Sequence, residues 1–348
     1  MNSKIQIYKV GGAVRDKILG IESNDTDYLV VGASERKMFQ LGFIKVGKSF
    51  PVYLDPETKE EYALARIEKK IQIGYAGFEC DTQDISLEED LRRRDLTINA
   101  MVENEDGEIL DFFNGISDLK NGILRHISSA FREDSVRVLR LARFQAIFPN
   151  FIVAPETQKL VLAIRDSGEL DSLKKERINI ELKKMAVKSP KPYIFFKSLK
   201  DLQVLDTVFP FLDNWEILKD FERLEYVEIM FLLSISTPPN ILLENIPFSK
   251  VELKKIEQLL FLHNLLIDFT IKDSIIFFKM TARLESLDEV LATYKNLYPT
   301  DLDYLRKMFI KYKESGKMIN CLNGKRNKMK IFRRIRFHFL SQILKGKK

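Results

Sequence analysis

Near residue 128 the hydrophobic periodicity of this chain changes character, and that switch limits the fold more than any other feature of its 348 residues. From about residue 4 to 110, short runs rich in β-branched and aromatic residues alternate with turn signals. IQIYKV runs into Gly11-Gly12, DYLVVG reads as a buried strand ending at Gly32, and PVYLDPETKEEYALAR reads as a hairpin turning at Asp55-Pro56. Beyond about 128 the spacing is helical. Val138, Leu141, Gln145 and Phe148 share one side of a helix expected to start near Glu133. KVELKKIEQLLFLHNLLIDF and DLDYLRKMFIKYK read as later amphipathic helices, with Pro190, Pro192, Pro238-Pro239 and Pro247 at their boundaries. The fold class that follows is α+β: a small mixed β-sheet head, then an all-α neck, body and tail. The expected divisions are 1–128, 129–200 and 201–348.

Composition narrows the function classes. With 45% hydrophobic and 30% charged residues, the chain has material for a packed core. Its net charge of +6 suits a polyanionic partner without requiring one. The two cysteines, Cys80 and Cys321, stand far apart, which argues against a disulfide framework or a zinc site. MNSKIQIYKV lacks the apolar stretch of a signal peptide, and no run reaches the roughly 18–20 apolar residues of a membrane span. A cytoplasmic protein without membrane association is expected, and no obligate protein partner is evident.

The chemistry starts at NDTDYLV. Asp25 and Asp27 are two apart at the start of a strand, where i and i+2 project from one face. Two adjacent carboxylates repel unless a cation neutralises them, and Mg²⁺ suits a few carboxylate oxygens plus water and phosphate. A third acid on a neighbouring strand would complete a two-metal clamp. Glu61 of EEYALAR is the candidate, with Glu60 as the fallback. D-x-D is common, and a polar strand end with Asp25 capping a turn reads equally from these residues alone. Upstream, KVGGAVRDKILG lets a glycine pair follow a strand and open a helix, where backbone N–H groups can approach a phosphate. Arg15, one turn in, could reach a triphosphate.

The order GGAVRD, D-T-D, RRRDLTINAM, DFFNGISDLKNGILR and REDSVRVLRLARF resembles the class II CCA-adding enzymes of bacteria. These are tRNA nucleotidyltransferases of the DNA polymerase β-like superfamily, in the poly(A) polymerase family. The resemblance runs from about Ile5 to Glu181 and includes GKSFPVYLDPETKEEYALARIEKK. It implies a nucleotidyltransferase head in which Asp25 and Asp27 hold Mg²⁺. Gly12, Arg15 and Arg94 match positions that contact the nucleotide, with Asp95 and Asn99 nearby as ribose or structural contacts.

In REDSVRVLRLARF, Asp134 and Arg137 are three apart, which places them on one helical face. A carboxylate accepts from an amino group while a guanidinium donates to a ring nitrogen. Cytosine and adenine offer that pattern; uracil and guanine present the reverse and leave groups mispaired, at about 1–3 kcal/mol per lost bond. The resemblance makes Asp134 and Arg137 the amino-acid template, with Arg140 and Arg143 as further nucleotide contacts. It also implies that Glu176, Arg177 and Glu181 of KKERINIELKK brace the template helix. Residues about 67–87 correspond to a flexible loop that CC-only enzymes lack. The implied reaction is addition of C, C and A to the tRNA 3′ end from CTP and ATP. The alternatives are a CC-only or poly(A)-adding relative, or an inactive RNA-binding protein.

The remaining half carries no motif. His126, His263 and His338 are the only histidines and no His-Asp dipeptide occurs, so no HD-type phosphohydrolase module is expected. The C-terminal GKRNKMKIFRRIRFHFLSQILKGKK sets Arg333, Arg334 and Arg336 outside an apolar i, i+4 stripe. These cations are candidates for tRNA backbone contact, with an anionic membrane surface or a solvated tail as alternatives.

Overall fold

The computed structural model describes residues 5–22, 26–46, 51–70 and 78–320. Asp25, residues 71–77 of the expected flexible loop, and Arg333, Arg334 and Arg336 lie outside them. The chain divides into two compact units, Met1–Phe211 and Leu212–Lys348.

The first unit opens with β1 (Gln6–Val10), α1 (Gly12–Ile18), β2 (Asp27–Val31), α2 (Glu35–Gln40), β3 (Ile44–Lys45), β4 (Val52–Leu54) and β5 (Glu61–Leu64). A hairpin of β6 (Ile67–Lys70) and β7 (Phe78–Asp81) precedes α3 (Leu87–Arg92), β8 (Val102–Glu103) and β9 (Ile109–Leu110). Seven strands form one mixed sheet in the order β3-β4-β5-β2-β1-β8-β9, with only β2 and β5 parallel among its pairs. Alternation divides the sheet's side chains between two faces. Tyr8, Val10, Leu29 and Val102 meet Leu91 of α3 and Ala100 on one face. Val30, Tyr53 and Leu64 meet Met38 of α2 on the other. Within the described part of residues 67–87, Ile67–Lys70 and Phe78–Asp81 pair as β6 and β7, and Ile85 and Leu87 pack on the core.

α4 (Gly115–Asn121) lies against the 3₁₀ turn Thr97–Asn99, and a Cβ at Gly115 would collide with the Thr97 carbonyl. The glycine of DFFNGISD is therefore a packing requirement. Asp111 accepts from the N–H groups of Phe113, Gly115 and Ile116 at 2.9–3.2 Å and so fixes the entry to α4. The short strands β10 (Ile123–Leu124) and β11 (Ile152–Val153) pair around α5 (Val136–Ile147). α6 (Pro155–Asp166), α7 (Lys175–Lys188), α8 (Tyr193–Asp201) and α9 (Leu205–Val208) complete the unit, and α5 packs on α7 and α8. α5 departs from the expected one-sided helix. Nine of its twelve residues are buried, because neighbours cover it on several sides.

The described elements of the second unit are all helices: a 3₁₀ turn at Trp215–Asp220, then α10 (Tyr226–Ser236), α11 (Pro239–Asn245), α12 (Lys250–Ile267), α13 (Ile271–Thr281), α14 (Leu284–Leu297) and α15 (Asp303–Asn320). Pro239 starts α11, and Ser249 caps α12 in a reciprocal box with Glu252. α10, α13 and α14 gather on α12 around Phe231, Leu262, Phe277 and Phe278.

Candidate active site

Three strand ends meet at one corner of the head. Val10, the last residue of β1, pairs with Asp27, the first of β2, and Asp27 pairs in parallel register with Glu61, the first of β5. In-register neighbours project from the same face, so Asp27 and Glu61 share one, and both are exposed. It is the face on which Leu91 of α3 and Ala100 pack. Glu60 turns away. Its carboxylate accepts from Tyr28 Oη at 3.3 Å, and Tyr28 alternates with Asp27 onto the opposite face. There Tyr28 stacks on Tyr62 at 4.5 Å, and burial, with Glu60 beside it, pushes its hydroxyl pKa up.

Gly11 follows Val10 with φ +76°, a backbone that side chains rarely adopt. This turn swings the chain into α1. A Cβ on Gly11 would stand 3.7 Å from Arg94 Nη1, which places the Arg94 guanidinium beside the turn. Arg94 is held there by Asp90, one helical turn earlier, whose Oδ2 accepts from Nη2 at 3.3 Å. Asp90 is fully buried and also accepts from Arg93 Nη2 at 2.6 Å and the Arg66 N–H at 3.1 Å. Burial opposes its ionisation, but Arg93 and Arg94 keep its pKa below the usual carboxylate range. Sequence reading passed over Asp90, although its i+3 and i+4 spacing to Arg93 and Arg94 was visible.

Arg15 is 5% exposed and fully engaged. It donates from Nη1 to Asn99 Oδ1 at 2.6 Å and from Nε and Nη2 to Asp16. Its guanidinium lies 5.3 Å from the Phe144 ring of α5 and 5.4 Å from the ring of Phe148, the residue that ends that helix. Asn99 donates in turn to Asp95 at 3.1 Å, and the other Asp95 oxygen accepts from Arg140 at 2.7 Å. Burial would raise the Asp95 pKa, yet Arg140, Asn99 and the Leu96 N–H hold it well below the carboxylate range.

The expected placement of Asp134 on the helix needs correction. Residues Ser129–Glu133 form a 3₁₀ turn, Asp134 is extended, and α5 begins only at Val136. Asp134 instead caps the helix start, accepting the Val136 N–H at 3.2 Å while its carbonyl accepts the Arg137 N–H at 3.0 Å. Arg177 of α7 grips both its oxygens, each at 2.8 Å. Burial works against the charge, and this fork, with Arg137 nearby, lowers its pKa. Arg137 is buried and donates from Nη1 to the Ala130 carbonyl at 2.5 Å. Arg143 is buried against Glu181 at 2.6 Å and lies over Phe144 at 4.4 Å. Two of the three residues named as braces thus contact α5 and its cap, while Glu176 is exposed.

Known proteins resemble the chain in sequence and in fold. Residues 7–125 match the poly(A) polymerase head domain, and residues 150–216 match the probable RNA- and SrmB-binding site of polymerase A. The chain therefore carries a poly(A) polymerase head domain. Over 212 residues it is 51% identical to the multifunctional CCA protein of Pseudoalteromonas atlantica, covering 60% of this chain and 52% of that one. Over 209 residues it is 50% identical to the CCA-adding enzyme of Coxiella burnetii, covering 60% and 55%. The chain thus spans about half the length of the curated relatives it matches. In fold it is similar to the Bacillus stearothermophilus CCA-adding enzyme solved with CTP, with a TM-score of 0.71, 19% identity, and 99% and 93% of the two chains covered. A tRNA nucleotidyltransferase solved with a primer tRNA and an incoming ATP analogue gives a TM-score of 0.61 at 23% identity, covering 91% and 97%.

The family's nucleotidyltransferases generally use a divalent metal. Asp27 and Glu61 fit one by donor chemistry: exposed carboxylates on one face of adjacent strands are the hard oxygen ligands such an ion takes. Among the described residues no helix is long and apolar enough to cross a membrane.

Proposed function

We propose that this chain adds C, C and A to the 3′ end of tRNA from CTP and ATP without a nucleic-acid template. The 3′-hydroxyl attacks the α-phosphate, a new phosphodiester forms, and pyrophosphate leaves. Mg²⁺ bound by Asp27 together with Asp25 would supply charge neutralisation at the triphosphate. Glu61 is our third carboxylate, because it shares the face of Asp27 whereas Glu60 is engaged by Tyr28. Gly12 and Arg94 would hold the triphosphate at the Gly11 turn. The helical body, with Arg333, Arg334 and Arg336 of the tail, would carry the tRNA. As functional divisions we keep 1–128, 129–200 and 201–348.

The observation that carries this reading is the Arg177 fork on Asp134. It keeps the carboxylate ionised and therefore acceptor-only, and each oxygen retains a lone pair for a base amino group. Beside it Arg137 offers only donors. Acceptor next to donor fits the N4–H₂/N3 edge of cytosine and the N6–H₂/N1 edge of adenine, and mispairs with uracil and guanine. Arg140 and Arg143 already have carboxylate partners, and we assign them to holding α5 in place.

The test is direct. The protein is incubated with tRNA lacking CCA, Mg²⁺, and CTP and ATP singly or together, and the products are sequenced. Addition of CCA is expected. CC alone would indicate the CC-only relative, a long A tail the polymerase, and no product an inactive RNA-binding protein.

A further inference from the structure

The nucleotide corner and the selecting helix belong to different parts of the chain, yet one buried polar path joins them. It runs from Arg15 at the start of α1 to Asn99 (2.6 Å), to Asp95 (3.1 Å), to Arg140 on α5 (2.7 Å). Arg15 also meets α5 a second time, through the rings of Phe144 and Phe148. Arg140 and Phe144 are one turn apart on α5, so they share a stripe of the helix, and Phe148 is the residue that ends it. Arg140 is fixed by Asp95 and the two rings by Arg15; Asn99 joins these fixings through hydrogen bonds, and the Phe144 ring, 5.9 Å from the Arg140 guanidinium, touches both arginines.

We infer that Asn99 is a positioning residue for base choice: it sets α5, and with it Arg137, relative to the Gly11 turn. This deepens the proposed function and rests on it. Asn99 suits the task because an amide offers an acceptor and donors at once. Its Oδ1 accepts a hydrogen bond from Arg15 and its Nδ2 donates one to Asp95, so the two bonds run in one direction from guanidinium to carboxylate. An alanine breaks the path at its middle, and an aspartate would set a second carboxylate against Asp95. Arg15 is assigned to the same device rather than to the triphosphate, since all three of its guanidinium nitrogens are engaged within the protein. The path matters to chemistry because a reacting group displaced by about 1 Å can cost on the order of 100-fold in rate.

The experiment uses the full chain with CCA-less tRNA and compares wild type, Asn99→Ala, Phe148→Leu and Phe148→Tyr. The readings are kcat and KM for CTP, kcat/KM for UTP and for dCTP, and the melting temperature. A positioning role predicts that Asn99→Ala lowers kcat for CTP and narrows the CTP-over-UTP preference, together on the order of 10- to 100-fold. KM for CTP and the CTP-over-dCTP preference stay near wild type. Phe148→Leu, which removes a ring from Arg15 without touching the hydrogen bonds, shifts the same two quantities in the same direction. Phe148→Tyr restores them. Should Asn99→Ala fail to fold, the Phe148 pair alone decides. Unchanged kcat and unchanged base preference overturn the inference. So does a rise in KM for CTP with loss of the dCTP discrimination, which would make Asn99 a sugar contact. A wild type that adds nothing overturns the proposed function and the inference together; a selective wild type with equally selective variants overturns the inference alone.

Discussion

The two compact units keep different things out of water. Within Met1–Phe211 the buried side chains include Arg15, Asp90, Asp95, Glu103, Asp118, Arg137, Arg143 and Glu181. Within Leu212–Lys348, Glu228 is the one buried charged residue among those described, and it closes a capping box at the start of α10. The other polar residues buried there, Ser234, Thr237, Gln258, Ser274 and Thr281, are uncharged, and the interior is mostly aliphatic and aromatic, with contacts among the rings of Phe231, His263, Tyr294 and Tyr298. Burying a charge is expensive unless it is paired, so the first unit accepts a penalty that a plain scaffold would avoid. Acids there are spent on aiming guanidinium groups: Asp90 on Arg94, Asp95 on Arg140, Glu181 on Arg143. The comparison separates a region built for directed hydrogen bonds from one built for packing alone.

The largest effect expected from breaking it is at Asp27. Asp27→Ala should lower nucleotide addition by about 10²–10³-fold or more, the scale of removing one electrostatic contact at a reacting centre. tRNA affinity, measured by filter binding, should barely change; retained addition would remove the metal assignment. Next is Glu181→Ala. It leaves Arg143 buried without its carboxylate, at about 3–5 kcal/mol by denaturant unfolding. Replacing both Glu181 and Arg143 by methionine should recover much of that loss. If the single and double variants are equally unstable, the pair is not what holds α7 to α5.

How far the sequence foretold this division depended on range. The strands, the turn at Gly11 and the helical second half were legible because period 2, period 3.6 and glycine are local signals. The register that sets Glu61 rather than Glu60 beside Asp27 was not, because it depends on strand pairing across more than thirty intervening residues. The start of α5 was misread for a related reason. FREDSVRVLR-type spacing suggests helix from Glu133, but Asp134 satisfies the Val136 N–H with its side chain, and that holds its own backbone extended. The Arg177 fork joins residues 43 apart and has no local signature at all. Phe144 and Phe148 carried the i, i+4 spacing, yet nothing local says that Arg15 sits on them.

The second unit should respond in the opposite manner to the first. Leu262→Ala removes a fully buried side chain between helices, at about 2–5 kcal/mol. The same destabilisation should leave the CTP-over-UTP preference of the folded fraction unchanged, measured by kcat/KM well below the melting temperature. A shift in base preference would mean that packing in this unit is read out at α5, and the contrast between the two units would fail.

The smallest effect concerns His263, whose Nδ1 lies 2.9 Å from Tyr294 Oη. Burial pushes the pKa of this imidazole down, since the charged form loses water within a cluster of rings. A histidine whose folded pKa lies below its unfolded value near about 6.5 binds fewer protons folded than unfolded. Its contribution to stability is therefore complete above pH ~6.5 and is lost as pH falls through the lowered folded value. The carboxylates of the first unit act further down the scale. Asp95 and Asp134, with folded pKa values below the ordinary range, contribute above about pH 4 and lose that contribution only in stronger acid. Unfolding free energy measured from pH 7.5 to 5 should thus fall in wild type and fall less in His263→Phe, which keeps the ring and removes the titration. An identical slope in the two proteins would show that His263 is as free to take a proton folded as unfolded.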